Sequence, residues 1–480
     1  MFERVTNLTG IYPPLFSRYT EQDSGVVAFF DGNFWERDSY CRRAFFLHNR
    51  SLPEETGELL VELNRNLPLK PPPGWEDKLR DRQTLFVITG QQPGLFAGPL
   101  LVLYKSLAAV KLARHLEARL QVPVQPLFWV ASEDHNVDPL LQSYIPLRSG
   151  GVTRLRLPPA PDGLTAGMPA LNNGAVTALL EQLSALDGNG EYKEEIIAWL
   201  QSAAQRGGNN LAGWFMQIMS RLFRGTGLIY FDPRQAAARS LYVPLLLQTL
   251  ELFPYLHERI AGAEEILQAA GFPLQVKRRG AESLIMITWE KKRYPLLRDG
   301  KHYYTPGGEL SISRGELLTL IVKQPSLFSP GVLLRPLFQE ILFPTLAYVA
   351  GPAELAYFAQ IKGLYSLFGL EMPILYPRPG ITLLAPPHQC MAAELNFALT
   401  MFPEGLQDQH PRRPGCDKSR TRRILCDNLW PRSRPQERVF SIVPYLFDYG
   451  FAFWQNFCRD FPYDPGHYIY SWKEGVCEHA

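Results

Sequence analysis

Cysteine is scarce and dispersed: the six residues at 41, 390, 416, 426, 458 and 477 include no C-x-x-C pair. That spacing excludes zinc ribbons and fingers, and a disulfide framework is not expected in so large a chain. An excess of one charge is missing too, since 49 Lys and Arg offset 47 Asp and Glu to a net +2. The molecule as a whole therefore has no electrostatic reason to bind nucleic acid or acidic membranes. No apolar run reaches the ~18 residues a membrane-spanning helix needs. The start, "MFERVTNLTGIYPPLFSRY", lacks the basic-then-apolar layout of a secretory signal. A cytoplasmic protein with reduced thiols is the expectation, and the sequons at Asn7 and Asn49 then carry no weight. Catalytic signatures are also absent. There is no G-x-S-x-G elbow and no cysteine with a histidine at helical spacing, which disfavours a hydrolase with a covalent intermediate.

What is present begins with a chain of 480 residues, 46% hydrophobic and 20% charged, enough for two to three domains or one large domain with insertions. Residues 84–131 read as a βαβ unit. "TLFVIT" is continuously apolar, as buried parallel strands are. Gly98-Pro99 then opens a helix, with Pro99 expected at its first position. Leu101, Tyr104, Ala108, Leu112, Leu116 and Leu120 form its apolar stripe, and "VPVQPLFWVA" is the second strand. "GLIYFD" (227–232), "TLAYVAG" (345–351) and "MPILYP" (372–377) are further strands beside helical stretches at 234–252 and 352–368. This alternation predicts an open α/β sheet. Residues 177–222 read as a helical insertion. Residues 273–305, which alternate apolar and polar side chains between Arg-Gly and Asp-Gly turns, read as a small antiparallel insertion. A core over 1–385, a basic, breaker-rich stretch at 386–435 and a C-terminal helical segment at 436–480 that packs back on the core complete the expected organisation.

The stretch "ITGQQPGLFAGPLLVLYKS" (88–106) joins the first strand to its helix. Its glycines, Gly90, Gly94 and Gly98, are four apart, which fits neither G-x-G-x-x-G nor the phosphate loop. Lys105-Ser106 comes two turns inside the helix, too late to meet a phosphate at the N-terminus. Gln91 and Gln92, amides that donate and accept, suit a polyol, amide or amino-acid ligand at the carboxyl end of a parallel strand. The alternative is a tight turn in which Gly94 and its neighbours serve packing alone.

"FWVASEDHNVDP" (128–139) delivers Ser132, Glu133, Asp134, His135 and Asp138 at a second strand end. Asp134-x-Asn136-x-Asp138 mimics the start of a calcium loop, but Pro139 replaces the required glycine and Ile145 the bidentate glutamate, so that reading is rejected; Glu, Asp and His also suit another divalent metal, but no second cluster with clear spacing supports one. A carboxylate here could hold an ammonium group, and His135 could accept a proton near neutral pH. The alternative is a helix cap with solvated neighbours. "VAGPAE" (349–354) repeats the strand–Gly–Pro–helix grammar and sets Glu354 and Tyr357 in the first turns of a helix, with Arg335 upstream. A structural ion pair between Arg335 and Glu354 is the competing reading. Arg378, in "YPRPGIT", stands at another strand end, where a guanidinium could read a carboxylate or phosphate.

Four blocks, "GQQPGLFAGPLLVLYK", "VPVQPLFWVASEDHNVD", "RPLFQEILFPTLAYVAGPAELAYF" and "MPILYPRPGIT", resemble in order the BshC family, bacterial cysteine ligases that complete bacillithiol. The resemblance begins near "FFDGNFWERDSY" and resumes at "RPQERVFSIVPYLFDYGF" (434–451). It implies a Rossmann-like core resembling class I aminoacyl-tRNA synthetases, and a reaction joining the carboxyl of cysteine to the amine of glucosaminyl-malate. It also implies ATP as activating reagent. Where synthetases carry H-x-G-H, this chain has Phe96-Ala97-Gly98-Pro99, without either imidazole. Glu133, Asp134 and His135 become the candidate catalytic residues. Gln91, Gln92, Gly94, Asp138, Arg335, Glu354, Tyr357 and Arg378 become the candidate substrate-binding set, with Arg335 and Arg378 on an anionic group. The family dimerises through a long coiled coil. At 386–435 this chain has a shorter stretch without sustained heptads, which also admits a non-catalytic protein that binds a thiol metabolite or nucleotide.

Overall fold

Five largely apolar segments build one sheet: β1 (Leu85–Gln91), β2 (Val124–Val130), β3 (Ile229–Phe231), β4 (Thr345–Ala350) and β5 (Ile374–Pro377). In the computed structural model they lie in the order β5-β4-β1-β2-β3, and every neighbouring pair is parallel. Read from the other edge, that is 3-2-1-4-5, the Rossmann order, whose direction of winding reverses between β1 and β4. The structure describes residues 2–471 except 6–10, 68–70, 148–150, 187–189, 386–387, 392–435 and the single positions 162, 168, 170, 279 and 463. The basic stretch at 386–435 thus lies almost wholly outside the described residues.

Burial explains why these strands show no alternation. Helices cover both faces, so Phe86, Val87, Ile88, Leu127 and Phe128 are all at 0% exposure. Each such side chain contributes ~1.5–3 kcal/mol on burial. β1 and β2 run in unbroken register from Leu85↔Val124 to Gln91↔Val130, which brings their polar ends level.

Helix α1 (Leu100–Leu120) crosses from β1 to β2. It starts one residue later than expected, with Pro99 as its N-cap. Its N-terminal half is buried on nearly every side, including Lys105 and Ser106, and not only along the predicted stripe. Helices α2 (Arg335–Leu342) and α3 (Pro352–Leu367) flank β4.

Three helices at Asn173–Ser184, Lys193–Arg206 and Leu211–Leu222 form the helical insertion. The antiparallel insertion is larger than the sequence suggests. Strands Glu282–Trp289, Lys292–Asp299 and His302–Tyr304 are joined by Ser311–Ser313 and Phe328–Pro330 in a five-stranded sheet. Those last two have three residues each, too few to display a period of two. Helix α4 (Val443–Asp460) buries Leu446, Phe453, Trp454 and Phe457, and the Trp454 indole donates to Leu222 O at 2.7 Å.

A third sheet went unforeseen. The first strand, Phe2–Val5, pairs antiparallel with the last, His467–Ser471, which runs parallel to Gly380–Leu384. The two ends of the described chain are thereby tied beside the end of β5. No helix among the described residues is long and apolar enough to cross a membrane.

Candidate functional site

A cavity of about 230 Å³ opens where β1, β2 and β4 end, with Gly90, Gln91 and Gln92 on one side and Gly351 to Glu354 on the other. This is the reversal point of the sheet, where open α/β proteins bind ligands. Of the residues singled out from sequence, Gln91, Gln92, Asp134, Arg335, Glu354, Tyr357 and Arg378 line it. Glu133, His135, Asp138 and Gly94 do not.

The first two loops meet through side chains. Gln92 Nε2 donates to Asp134 Oδ2 at 3.0 Å, and Arg335, at the start of α2, pairs with the other carboxylate oxygen. Burial alone would raise the Asp134 pKa. The guanidinium charges of Arg335 and Arg293, with hydrogen bonds from Arg335 and Gln92, outweigh it and hold the group below the ordinary carboxylate value. Asp134 is therefore an anion in the cavity wall. Arg335 pairs with Asp134 and not with Glu354.

Glu354 has a different partner. Lys105 reaches from the second turn of α1 to donate to Gly90 O at 2.7 Å and to the Glu354 carboxylate. Lys105 is only 1% exposed. Burial lowers its pKa, against the pull of Glu354. The second Glu354 oxygen accepts the Gly351 N–H at 2.9 Å, a capping contact at the start of α3. Lysine carries three donors, and two are engaged by these partners among the described residues. Lys105 was placed too deep in its helix to meet a ligand at the N-terminus. Leu101 and Lys105, in the first two turns of the helix, nevertheless line the cavity. A lysine inside the apolar run "LLVLYKSLAAV" was the available signal.

Tyr348 and Tyr357 close the cavity beside Glu354 and hydrogen-bond each other; burial raises both phenols well above their ordinary value. Arg378 follows β5 and pairs with Glu437 Oε1 at 2.7 Å, both side chains being buried. Arg438, next along the chain, also lines the cavity. Sequence reasoning passed over Glu437 and Arg438, because nothing local connects them to a strand end.

The remaining candidates sit elsewhere. Glu133, 1% exposed, pairs with Arg239 at 2.8 Å, and its Oε2 finds no hydrogen-bond partner among the described residues. Asp138 pairs with Arg156 at the surface. His135 is exposed, and partial burial of its ring together with the Arg293 charge lowers its pKa. Gly94 packs: a Cβ there would stand 3.0 Å from Gly98 Cα. Phe96, Ala97 and Gly98 have φ of 55°, 67° and 73°. Two consecutive non-glycine residues in this region are uncommon and strained. Packing against the C-terminal segment sustains them, with Leu100 N–H donating to Phe440 O at 2.8 Å.

For a triphosphate the arrangement is a poor match. Lys105, Arg335 and Arg378 each already face a carboxylate, so the wall offers charge balance where a nucleotide tail needs uncompensated cations. Paired charges, two amides and two phenols suit a small ligand carrying both an ammonium and an anionic group.

A Rossmann-type parallel sheet with a charge-balanced polar cavity at its reversal point defines an α/β protein built to hold small polar molecules. The family model "Bacillithiol biosynthesis BshC, N-terminal Rossmann-like domain" matches residues 4–379. The chain belongs to the BshC family. A relative from Symbiobacterium thermophilum, described as "Putative cysteine ligase BshC", is 33% identical over 76% of this chain and 70% of its own. One with the same description from Heliobacterium modesticaldum is 29% identical over 94% of this chain and 95% of its own. That alignment spans 532 positions, longer than the 480-residue chain itself, so the relative has residues this chain lacks. A solved Campylobacter jejuni protein, named a "putative arginyl t-RNA synthetase", overlaps 87% of this chain and 70% of its own at 11% identity. Its TM-score of 0.29 is too low to support a shared fold.

Proposed function

We propose that this protein is a ligase that forms the amide bond between the carboxyl of cysteine and the amine of glucosaminyl-malate, with ATP as the activating reagent. Membership of the BshC family supports the reaction class. The observation that carries the reading is the pairing of Asp134 with Arg335 and Gln92 across the reversal point of the sheet. A carboxylate held ionised in a half-closed cavity suits an ammonium group, which both substrates carry.

In this reading the new bond joins the cysteine carboxyl carbon to the sugar nitrogen, and the amine gives up its protons as the activated carboxyl loses its leaving group. Asp134 orients an amine by accepting its hydrogen bonds. The Lys105 ammonium, fixed by Gly90 O and Glu354, faces oxygen that gains negative charge as the carboxyl is attacked. Gln91, Tyr348 and Tyr357 bound the small volume and limit water. No step is assigned to residues that would bind the nucleotide, because the cavity cations are paired.

A mass-spectrometric assay with cysteine, glucosaminyl-malate and ATP tests the proposal. The expected product has the mass of the two substrates joined with loss of water. Binding of either substrate without any such product would support a non-catalytic carrier instead.

A further inference from the structure

We infer that Gln339 is a specificity-determining residue of the functional site: its side-chain amide, unpartnered within the described protein, reads hydroxyl groups of a sugar bound in the cavity. The inference rests on the proposed ligase reading for the identity of that sugar, the glucosamine ring of the second substrate.

Helix α2 sets this side chain by its period. Arg335 and Gln339 stand one turn apart on the same helix face, a spacing that puts Cβ atoms about 5–6 Å apart. Both line the cavity. Glu340, next along the chain, lies outside that lining and pairs with Arg43 at 2.6 Å. Gln339 is 4% exposed, yet its amide has no hydrogen-bond partner among the described residues. Neither its oxygen nor its nitrogen is sealed off by protein, so both are reached from the cavity. Other buried glutamines of this protein differ. Gln360 accepts the Val276 N–H at 2.9 Å and donates to Val276 O at 2.9 Å and Glu264 Oε1 at 3.2 Å. Gln436 accepts the Leu383 N–H at 2.8 Å and donates to Leu383 O at 3.1 Å. Those amides tie elements together, and Gln339 ties none.

For packing alone an apolar side chain of the same length would serve better, because burying an amide without a partner costs free energy. A ligand that supplies the partner offsets this cost. A carboxamide both donates and accepts, which matches a hydroxyl, itself donor and acceptor. Asp134, paired with Arg335, marks the place of an ammonium group one helical turn from Gln339. Cysteine offers little at that interval, since its thiol lies close to its amine and is a weak hydrogen-bond former. An amino sugar carries hydroxyls across the ring from its amine. Val332, an exposed residue of the same cavity, gives the C–H face of such a ring an apolar surface.

The test compares the full chain with Gln339→Met, which keeps the length and helix propensity of the side chain and deletes both amide groups. Because the amide has no partner in the free protein, the variant should fold with an unfolding midpoint equal to or above that of the parent. By calorimetry it should bind glucosaminyl-malate and D-glucosamine about tenfold more weakly, the scale of one or two lost hydrogen bonds, with the Kd for cysteine within about twofold. A loss shared equally by all three ligands, as a merely structural amide would give, or a loss on none of them overturns the inference. So does a loss on cysteine alone, a loss on glucosaminyl-malate without one on D-glucosamine, or no binding of either sugar to the parent. Product formation is a separate result. A parent that binds glucosaminyl-malate but joins no cysteine to it ends the ligase reading, and the affinities still decide the role of Gln339.

Discussion

Lys105 shows how a residue acquires a role that its local sequence does not advertise. Inside an apolar helix, an ammonium at 1% exposure survives only because Gly90 O and Glu354 receive it. Removing one partner of such a pair strands the other charge, which costs about 3–5 kcal/mol when burial is complete. Lys105→Met should therefore lower stability by about 3 kcal/mol in chemical denaturation. Lys105→Met combined with Glu354→Gln should lose less than the sum of the two single changes, as a double-mutant cycle would reveal. Asp134 was legible from sequence because it lies in the polar turn just past a strand end, and Gln92 because it follows one directly. Glu133, its neighbour, turns the other way to Arg239; adjacent residues leaving a strand diverge, and no sequence pattern says which of two acidic neighbours faces the crevice.

At the level of elements, the five sheet strands could be read directly, since strands buried on both faces write themselves as unbroken apolar runs. Right-handed crossovers account for the parallel pairing; the order β5-β4-β1-β2-β3 is visible only in the structure, and the cavity follows from that order. The terminal sheet could not be read, because Phe2–Val5 and His467–Ser471 are short and pair across nearly the whole chain. The turn after β5 is where the two levels join. Gly380 has ordinary backbone angles and is required for space alone, since a methyl carbon at this position would stand 1.7 Å from Tyr12 Oη. Overpacking of this kind costs ~1–3 kcal/mol or more. Gly380→Ala should lower the unfolding free energy by about 3 kcal/mol, and Gly380→Ala with Tyr12→Phe should recover part of it.

For the whole molecule, His467 is the titrating link between the two ends of the described chain. Burial, reinforced by Arg378 and opposed by Glu437, pushes its pKa down to about 4, below the ordinary value of about 6.5. The unfolded chain then binds the proton more readily than the folded one. The stability this group contributes is present above pH ~6.5 and is lost as pH falls through about 4. The unfolding midpoint of the parent should drop over that window more steeply than that of His467→Gln, followed by circular dichroism; equal slopes would show that the ring does not titrate with unfolding.

Family membership, the Rossmann strand order and the paired charges converge on one claim, that ligation takes place in the cavity at the reversal point. A crystal structure of the protein with cysteine and glucosaminyl-malate tests it most directly. The account predicts ligand density among Asp134, Lys105 and Arg378, with an amine within hydrogen-bond distance of the Asp134 carboxylate. Both substrates ordered elsewhere on the molecule, with this cavity holding solvent alone, would contradict it.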